Sequence, residues 1–429
     1  MKSYLLCVCP IGGHVAPILT VARHLVSAGH WVRMLTGSRF ARAVSATGAE
    51  FVALPEEADF DDRDLDVAFP ERRNHKGIAA LRYDILQVFI APAYHQHRAL
   101  QHLFSEEQAD AVLSDFAFAG MLPILLSGQP RPPLIILGVL PLTLTSVDTA
   151  PYGLGLPPSA SPLGRVRNRA LNALVQRVIL RSVRQATDQL LADLGLGPAP
   201  VFPLDWYRLA DRIVQFTVPE FEYPRSEAPA TLTFAGPLLD AAPRFELPAW
   251  WTDLNSGRRV VHVTQGTLDN VDLSKVIQPT VAALADQDLL VVVATGGRPV
   301  SELRMALPDN VRVAEMLPYA ELLPKIDAMV TNGCYGGVQM ALAHGVPLIV
   351  AGAREDKPEV AARVAWSGSG VNLRVERPRP EVIGEAVSNV LTKPSYRGNS
   401  RRLAEAISNT DPLHTLDEIL EHVSGRIDR

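Results

Sequence analysis

Ala328-Met329-Val330-Thr331 leads into Asn332-Gly333-Cys334-Tyr335-Gly336-Gly337, and Val338-Gln339-Met340-Ala341-Leu342 follows. A short apolar run, a glycine-rich turn and a helical pattern stand in that order, which makes one strand–helix unit of a parallel sheet. The turn also carries a chemical meaning. Backbone N–H groups at the start of a helix, with its dipole behind them, hold an anion such as a pyrophosphate. The dipole supplies about 0.3–1 kcal/mol, and more where the site is partly buried. The segment is not a Walker A loop, because the G-K-[ST] ending is missing. A plain tight connection between strand and helix reads the same way.

Around this unit, strand patterns stand at 259–267, 289–296, 311–317 and 347–351, with helical patterns at 273–285, 337–343 and 359–366. The same alternation fills the first 140 residues, with strand patterns at 4–10, 31–36, 50–54, 109–115 and 133–140. Val15, Ile18, Leu19, Ala22, Leu25 and Val26 make one apolar stripe on a helix that Gly29 can stop. Continuous apolar strands separated by amphipathic helices mean parallel sheets covered on both faces. The fold class is therefore α/β, with two Rossmann-like, doubly wound domains facing across a cleft. The expected boundaries are 1–238 for the first domain and 258–405 for the second. Between them, 239–257 carries Pro243, Pro248, Trp250 and Trp251 without either periodicity and reads as a linker.

The 429 residues are 47% hydrophobic, 20% charged and 6% aromatic, which suits two or three folded domains and excludes a disordered chain. Lys and Arg number 41 against 46 Asp and Glu, so a net charge of -5 gives no overall attraction to nucleic acid or anionic membrane. Cys7, Cys9 and Cys334 cannot staple a chain of this size, and no cluster has zinc spacing. A reducing cytoplasm, no metal centre and no resident cofactor are expected. The apolar start, 1–10, could pass for a signal peptide. Glycines, a histidine and an amphipathic helix follow at once, so it reads as a buried strand. The longest apolar stretch, 132–147, is interrupted by threonines and falls short of the roughly 20 residues that span a bilayer. The segment 165–194 is helical and carries Arg165, Arg167, Arg169, Arg177, Arg181 and Arg184. Asp188 and Asp193 dilute that charge, so a solvated helix face is expected in preference to a membrane-bound one.

Pro10-Ile11-Gly12-Gly13-His14-Val15 puts glycines after the first strand and a histidine at the next helix start. Ligands of open α/β sheets bind beyond the carboxyl ends of strands, where Gly13 lets one approach and His14 lies. The positive potential of a helix start is expected to lower the imidazole pKa, which suits a base near neutral pH. A helix-capping histidine is the alternative. Asp115 ends a strand of the same sheet. It can accept the imidazole N–H and stabilise the imidazolium, or it can cap the following helix. Asp59, Asp61, Asp62, Asp64 and Asp66 could gather a magnesium ion on a diphosphate, although a solvated, mobile loop is the expected reading.

The segment from Val330 to Gly337 runs on through Ala341-Leu342-Ala343-His344-Gly345-Val346-Pro347-Leu348-Ile349-Val350. Asp356-Lys357-Pro358, Ala361-Ala362-Arg363-Val364 and Gly368-Ser369-Gly370-Val371 follow. This resembles the sugar-nucleotide signature of the UDP-sugar-dependent, family 1 glycosyltransferases, in particular the bacterial branch that decorates natural products. The block 330–371 is specific. His14, Phe234-Ala235-Gly236-Pro237 and Thr264-Gln265-Gly266-Thr267 are weaker alone but extend the match in order over nearly the whole chain.

The resemblance implies the GT-B fold, an apolar acceptor on the first domain and the sugar nucleotide on the second. It also implies a last segment, 406–429, whose helix at about 413–423 crosses back to the first domain. It makes His14 the general base and Asp115 its partner. Gln265, Gly266 and Thr267 fall beneath the diphosphate, and Gly333, Gly336 and Gly337 opposite it. Leu317 and Pro318 fall at the nucleobase through their backbone, and Asp356 at the sugar hydroxyls. Asn332 stands where the family often has a phosphate-binding His, Met340 where it has a ribose-binding Glu, and Lys357 where it has Gln. Asn332 is expected to donate a neutral hydrogen bond. Lys357 either meets an unusual group on the sugar or points to the surface, the latter being expected.

The implied activity is an inverting, metal-independent transfer from UDP-glucose or a dTDP-sugar to a hydroxyl of an apolar aromatic or polyketide natural product. Phe69, Tyr83 and Tyr152 suit a flat acceptor, or else pack a core or lid. No nucleic acid, no stable membrane insertion, and a monomer or homodimer are expected. A non-catalytic sugar-nucleotide-binding helper subunit and a UDP-sugar epimerase are the alternatives.

Overall fold

A computed structural model describes residues 1–239, 246–267, 269–285 and 287–424. Residues 240–245 of the expected linker, Pro243 included, and the end of the last segment at 425–429 lie outside the described residues.

The first sheet joins β1 (Ser3–Cys7), β2 (Trp31–Thr36), β3 (Glu50–Ala53), β4 (Ala111–Asp115), β5 (Leu134–Gly138), β6 (Arg212–Gln215) and β7 (Leu232–Phe234). Their spatial order is β3-β2-β1-β4-β5-β6-β7. The second sheet joins β8 (Arg259–Thr264), β9 (Leu289–Ala294), β10 (Val311–Ala314), β11 (Ala328–Thr331), β12 (Leu348–Val350) and β13 (Gly370–Asn372), in the order β10-β9-β8-β11-β12-β13. Every pairing is parallel.

In each sheet the winding direction reverses once, between β1 and β4 and between β8 and β11. Crevices open beyond the carboxyl ends of strands at such reversals, because the following helices leave toward opposite faces. The register Cys7↔Ser114 sets the ends of β1 and β4 side by side, and Thr264↔Thr331 does so for β8 and β11.

Several strands are shorter than their apolar runs. β1 stops at Cys7, and Val8 to Pro10 continue as a buried turn, so apolar character there reports burial and not pairing. The basic segment is two helices, Pro162–Leu174 and Arg181–Asp193, joined through a wider turn at Val175–Ile179. The described part of the expected linker is no free tether. Trp250 and Trp251 pack on the second core, and Trp250 Nε1 donates to the Val313 carbonyl at 3.2 Å.

The helix Pro412–Ser424 belongs to the first lobe. Leu416, Leu420 and Val423 share a cluster with Val15, Ile18 and Leu25, and Asp417 lies 2.9 Å from His24 Nε2. Full burial of each such leucine contributes about 1.5–3 kcal/mol. The segment before this helix passes Gly236 (φ +88), where a Cβ would collide with Thr410. Among the described residues no helix is long and apolar enough to cross a membrane.

Candidate active site

The first crevice brings together His14 and Asp115, which are far apart in sequence. His14 is the third residue of the helix Gly12–Ser27, just past β1, and Asp115 closes β4. Nδ1 of the imidazole lies 2.7 Å from Oδ2 of the carboxylate. Asp115 is fully buried and His14 is 6% exposed, so the pair sits at the crevice floor with little water around it. Oδ1 of Asp115 accepts from the Ala117 amide at 3.1 Å. One carboxylate thus both meets the imidazole and closes a turn. It does not cap the next helix, which begins at Met121.

The expected lowering of the His14 pKa is not found. Burial disfavours the imidazolium most, but the Asp115 charge and hydrogen bond, joined by the charge of Asp356, outweigh it and raise the pKa above 6.5. Asp356 comes from the second lobe, just before the helix Lys357–Trp366, so an electrostatic contact with His14 spans the crevice. Burial first, then Glu355, pushes the Asp356 carboxyl up to about 6, against the opposing charges of Lys357 and His14.

The acidic run does not form a free solvated loop. Asp62 Oδ2 accepts from the Gly12 amide at 2.6 Å, next to the His14 helix. Asp59 accepts from the Ser38 amide, Asp61 and Asp66 pair with Arg63 and Arg72, and Asp64 caps the short helix Leu65–Ala68. Among the described residues no cluster of carboxylates, histidines or cysteines is arranged to hold a metal ion.

The second crevice lies between the ends of β8 and β11. Gly333 adopts φ +91, and a Cβ there would meet Val350 Cγ1 at 2.7 Å, so glycine is required for this turn. The helix Tyr335–Ala343 follows with no side-chain cap. A Cβ on Gly336 or Gly337 would meet nothing within 4 Å, so open space lies before the first-turn amides. Such an uncapped end, with its dipole, can take an anion.

Opposite runs 265–267. Gln265 is fully buried, and its side chain holds the loop together. Oε1 accepts from the Val276 and Ile277 amides at 3.0 and 3.1 Å, and Nε2 donates to the Asp272 carbonyl at 2.9 Å. Its own carbonyl accepts from Asn332 Nδ2 at 2.7 Å. One N–H of the Asn332 amide is thereby engaged within the protein, which leaves its second N–H as a neutral donor. Thr267 is exposed and Gly266 half-buried beside it.

Lys357 does not point to the surface. It is 5% exposed and pairs with Glu355, and its Nζ lies 3.3 Å from Asp269 Oδ2. Both charges hold its ammonium against the cost of burial, which is the largest effect on it, and its pKa rises. Leu317 and Pro318 are buried, and the Pro318 carbonyl accepts from the Glu321 and Leu322 amides. Pro318 also has no amide proton, so its backbone has little left for a nucleobase.

Of the acceptor-side residues, Gly13 is exposed beside His14. Tyr152 lines a small recess with Thr145, Tyr223, Arg225 and Glu359, and its buried hydroxyl has no hydrogen-bond partner. Phe69 meets Phe60 edge-on at 5.2 Å and Tyr83 stacks on His75 at 4.8 Å, both half-buried. These rings pack within their own segment.

Two residues that sequence reasoning passed over shape the site. Asn270 Nδ2 donates to the carbonyls of Gly266, Thr295 and Gly296, tying Gly266 to the residues that follow β9. Glu359 joins the second lobe to a loop of the first. Neither carries a motif, since Thr295 and Gly296 for the one and Gly153 and Gly155 for the other are remote in sequence.

Two doubly wound lobes, with an imidazole–carboxylate pair in one crevice and an open helix terminus in the other, define a GT-B glycosyltransferase architecture. Residues 278–422 match the family model described as Erythromycin biosynthesis protein CIII-like, C-terminal domain. The chain is 42% identical over 414 residues to 4'-demethylrebeccamycin synthase of Lentzea aerocolonigenes, covering 96% of this chain and 97% of that one. It is 35% identical to UDP-glycosyltransferase 2 of Phaeomoniella chlamydospora, over 98% and 95% of the two chains. Among solved structures it is similar to CalG4, the calicheamicin glycosyltransferase, with a TM-score of 0.74 at 23% identity over 100% of both chains. The spinosyn rhamnosyltransferase SpnG complexed with thymidine diphosphate gives 0.68 at 17% identity, over 98% of this chain and 100% of that one. The chain belongs to the family of natural-product glycosyltransferases and is a glycosyltransferase.

Proposed function

We propose that the protein catalyses an inverting, metal-independent transfer of a sugar from a nucleotide diphosphate sugar to a hydroxyl of an apolar aromatic or polyketide acceptor. The observation that carries this reading is the His14–Asp115 pair at 2.7 Å, set opposite Asp356 of the other lobe. With Nδ1 held by Asp115, His14 turns Nε2 to the acceptor hydroxyl and takes its proton. The oxygen attacks the anomeric carbon, the bond to the diphosphate breaks, and the diphosphate leaves with the electron pair. Asp115 keeps the imidazole in the required tautomer and stabilises the imidazolium that forms. The Gly336 and Gly337 amides, with the dipole of the helix Tyr335–Ala343, take up the leaving charge.

Asp356 accepts from the sugar hydroxyls, the backbone of 265–267 lies below the diphosphate, and Leu317 meets the base through its main chain. Gly13 and Tyr152 line the acceptor side. The domains in this reading are 1–238 and 258–405, with the last helix returned to the first. The relative named UDP-glycosyltransferase 2 supports a UDP-sugar such as UDP-glucose as donor, and the SpnG complex with thymidine diphosphate supports a dTDP-sugar. A cytoplasmic setting suits the reduced cysteines Cys7, Cys9 and Cys334.

The test is incubation with a panel of UDP- and dTDP-sugars, with and without phenolic and polyketide acceptors, read by mass spectrometry and NMR. An acceptor glycosylated with inverted anomeric configuration, at a rate indifferent to chelator, is the expected result. Epimerised sugar nucleotide in the absence of acceptor, or inertness with every pair, overturns the reading.

A further inference from the structure

The two lobes meet through a closed set of buried charges away from the reacting groups. Arg363, on the helix Lys357–Trp366, is fully buried. Its Nη2 donates to Glu222 Oε1 at 2.5 Å and its Nη1 to Glu359 Oε2 at 2.9 Å. Glu222 belongs to the first lobe, where it also accepts from Arg225 Nη1 at 3.1 Å and from the Leu142 amide at 2.9 Å. The guanidinium of Arg363 stands 4.1 Å from the centre of the Tyr223 ring. Two carboxylates and two guanidiniums thus balance, and no charge is buried without a partner.

Glu359 is 4% exposed, and its second oxygen does something else. Oε1 accepts from the Gly153 amide at 2.8 Å and the Gly155 amide at 2.9 Å. Gly153 and Gly155 both have positive φ, and a Cβ on Gly155 would lie 2.8 Å from the Pro358 carbonyl. Glycine lets this loop seat so closely on the helix of the other lobe. Just upstream, Asn172 Nδ2 donates to the Ser146 and Thr149 carbonyls, and Asn168 Nδ2 to that of Val147. The loop therefore has one anchor in its own lobe and one in the other, with Tyr152 between them.

We propose that Glu359 is a positioning residue that docks the 151–157 loop, and Tyr152 with it, on the sugar-nucleotide lobe, so that the acceptor pocket is complete only while the lobes are apposed. The inference rests on the acceptor role of Tyr152 and the sugar role of Asp356 given above. It makes acceptor binding depend on a residue of the opposite lobe, and leaves nucleotide binding independent of it. Removing the Glu359 carboxylate leaves Arg363 paired with Glu222, so the lobes stay joined.

Glu359→Ala and Glu359→Gln are compared with the wild type by amide hydrogen exchange at 153–155, by UDP calorimetry, and by initial rates with UDP-glucose and a phenolic acceptor. The Ala variant is expected to speed exchange at Gly153 and Gly155 and to raise acceptor KM about tenfold, the worth of one charge-assisted hydrogen bond. The kcat should change less, and UDP affinity should stay at the wild-type value. The Gln variant keeps a carbonyl for the two amides but turns its NH2 toward Arg363, so it should restore part of both losses. Unchanged exchange, an equal loss of UDP affinity, or a Gln variant no better than Ala overturns the positioning role. If the wild type transfers sugar to no acceptor, the reading of the site fails, while the exchange measurement still decides whether Glu359 docks the loop.

Discussion

Asp115 holds His14 Nδ1 at 2.7 Å with one carboxylate oxygen and the Ala117 amide at 3.1 Å with the other. The turn fixes the carboxylate, and the carboxylate fixes the ring. Replacing His14 by Ala should lower the transfer rate on the order of 10²–10⁴, the usual weight of general base catalysis, and leave UDP binding intact. Initial rates beside UDP calorimetry check this. A His14→Ala variant with wild-type turnover would sink the base assignment.

The pH profile follows from the same contact. A base works when deprotonated, so the rate should fall as pH drops through the pKa of His14. Asp115 raises that pKa, so the acidic limb should sit above the ordinary imidazole value of 6.5. In Asp115→Asn that charge is gone, and burial, which lowers the pKa and is the largest effect, is opposed only by the smaller contribution of Asp356. The limb should then move to lower pH while the plateau drops, because the amide cannot stabilise the imidazolium. Rates from pH 5 to 9 for both proteins decide it. A limb that stays in place shows that another group titrates.

Much of this was legible in the sequence where side-chain period and position coincide. β2 and β11 have the expected bounds, and His14 and Asp115 stand at the ends of neighbouring strands. β6, β7 and β13 were not legible, because three or four residues carry no usable period and β13 opens on a glycine. The polar scaffold was hidden for a different reason. Gln265 and Lys357 look like ligand contacts in a motif, but their side chains also meet Asp272 and Asp269, neighbours that only the fold sets.

That scaffold role is testable at Gln265. Replacement by Ala leaves the Val276 and Ile277 amides without the oxygen that now receives both. Buried amides left unpaired cost about 1–3 kcal/mol, so urea unfolding should show a loss on the order of 2 kcal/mol or more. A Gln265→Ala protein of unchanged stability but weakened UDP binding would return this side chain to the ligand.

Lys357 offers the converse case. Lys357→Gln removes an ammonium that lies 3.3 Å from Asp269 and leaves Asp269 with Lys275 at 2.8 Å. Stability should fall by about 1–3 kcal/mol, and the ranking of UDP- and dTDP-sugars as substrates should not change. A reordered ranking, measured by competition within one sugar panel, would show that the ammonium reaches the sugar.

Gly336 separates folding from binding most cleanly. It lies in the first turn of the helix Tyr335–Ala343, and a Cβ there meets nothing within 4 Å. Ala is a better helix residue than Gly by about 1 kcal/mol, so Gly336→Ala should hold or raise the melting temperature. The same methyl enters the open space before the uncapped amides, where the leaving diphosphate is proposed to sit. UDP affinity and kcat/KM should therefore fall by about tenfold or more, the equivalent of one or two lost hydrogen bonds. Stability rising while nucleotide affinity falls would tie this helix end to the leaving group. Wild-type UDP affinity in a stable Gly336→Ala protein would remove the diphosphate from it.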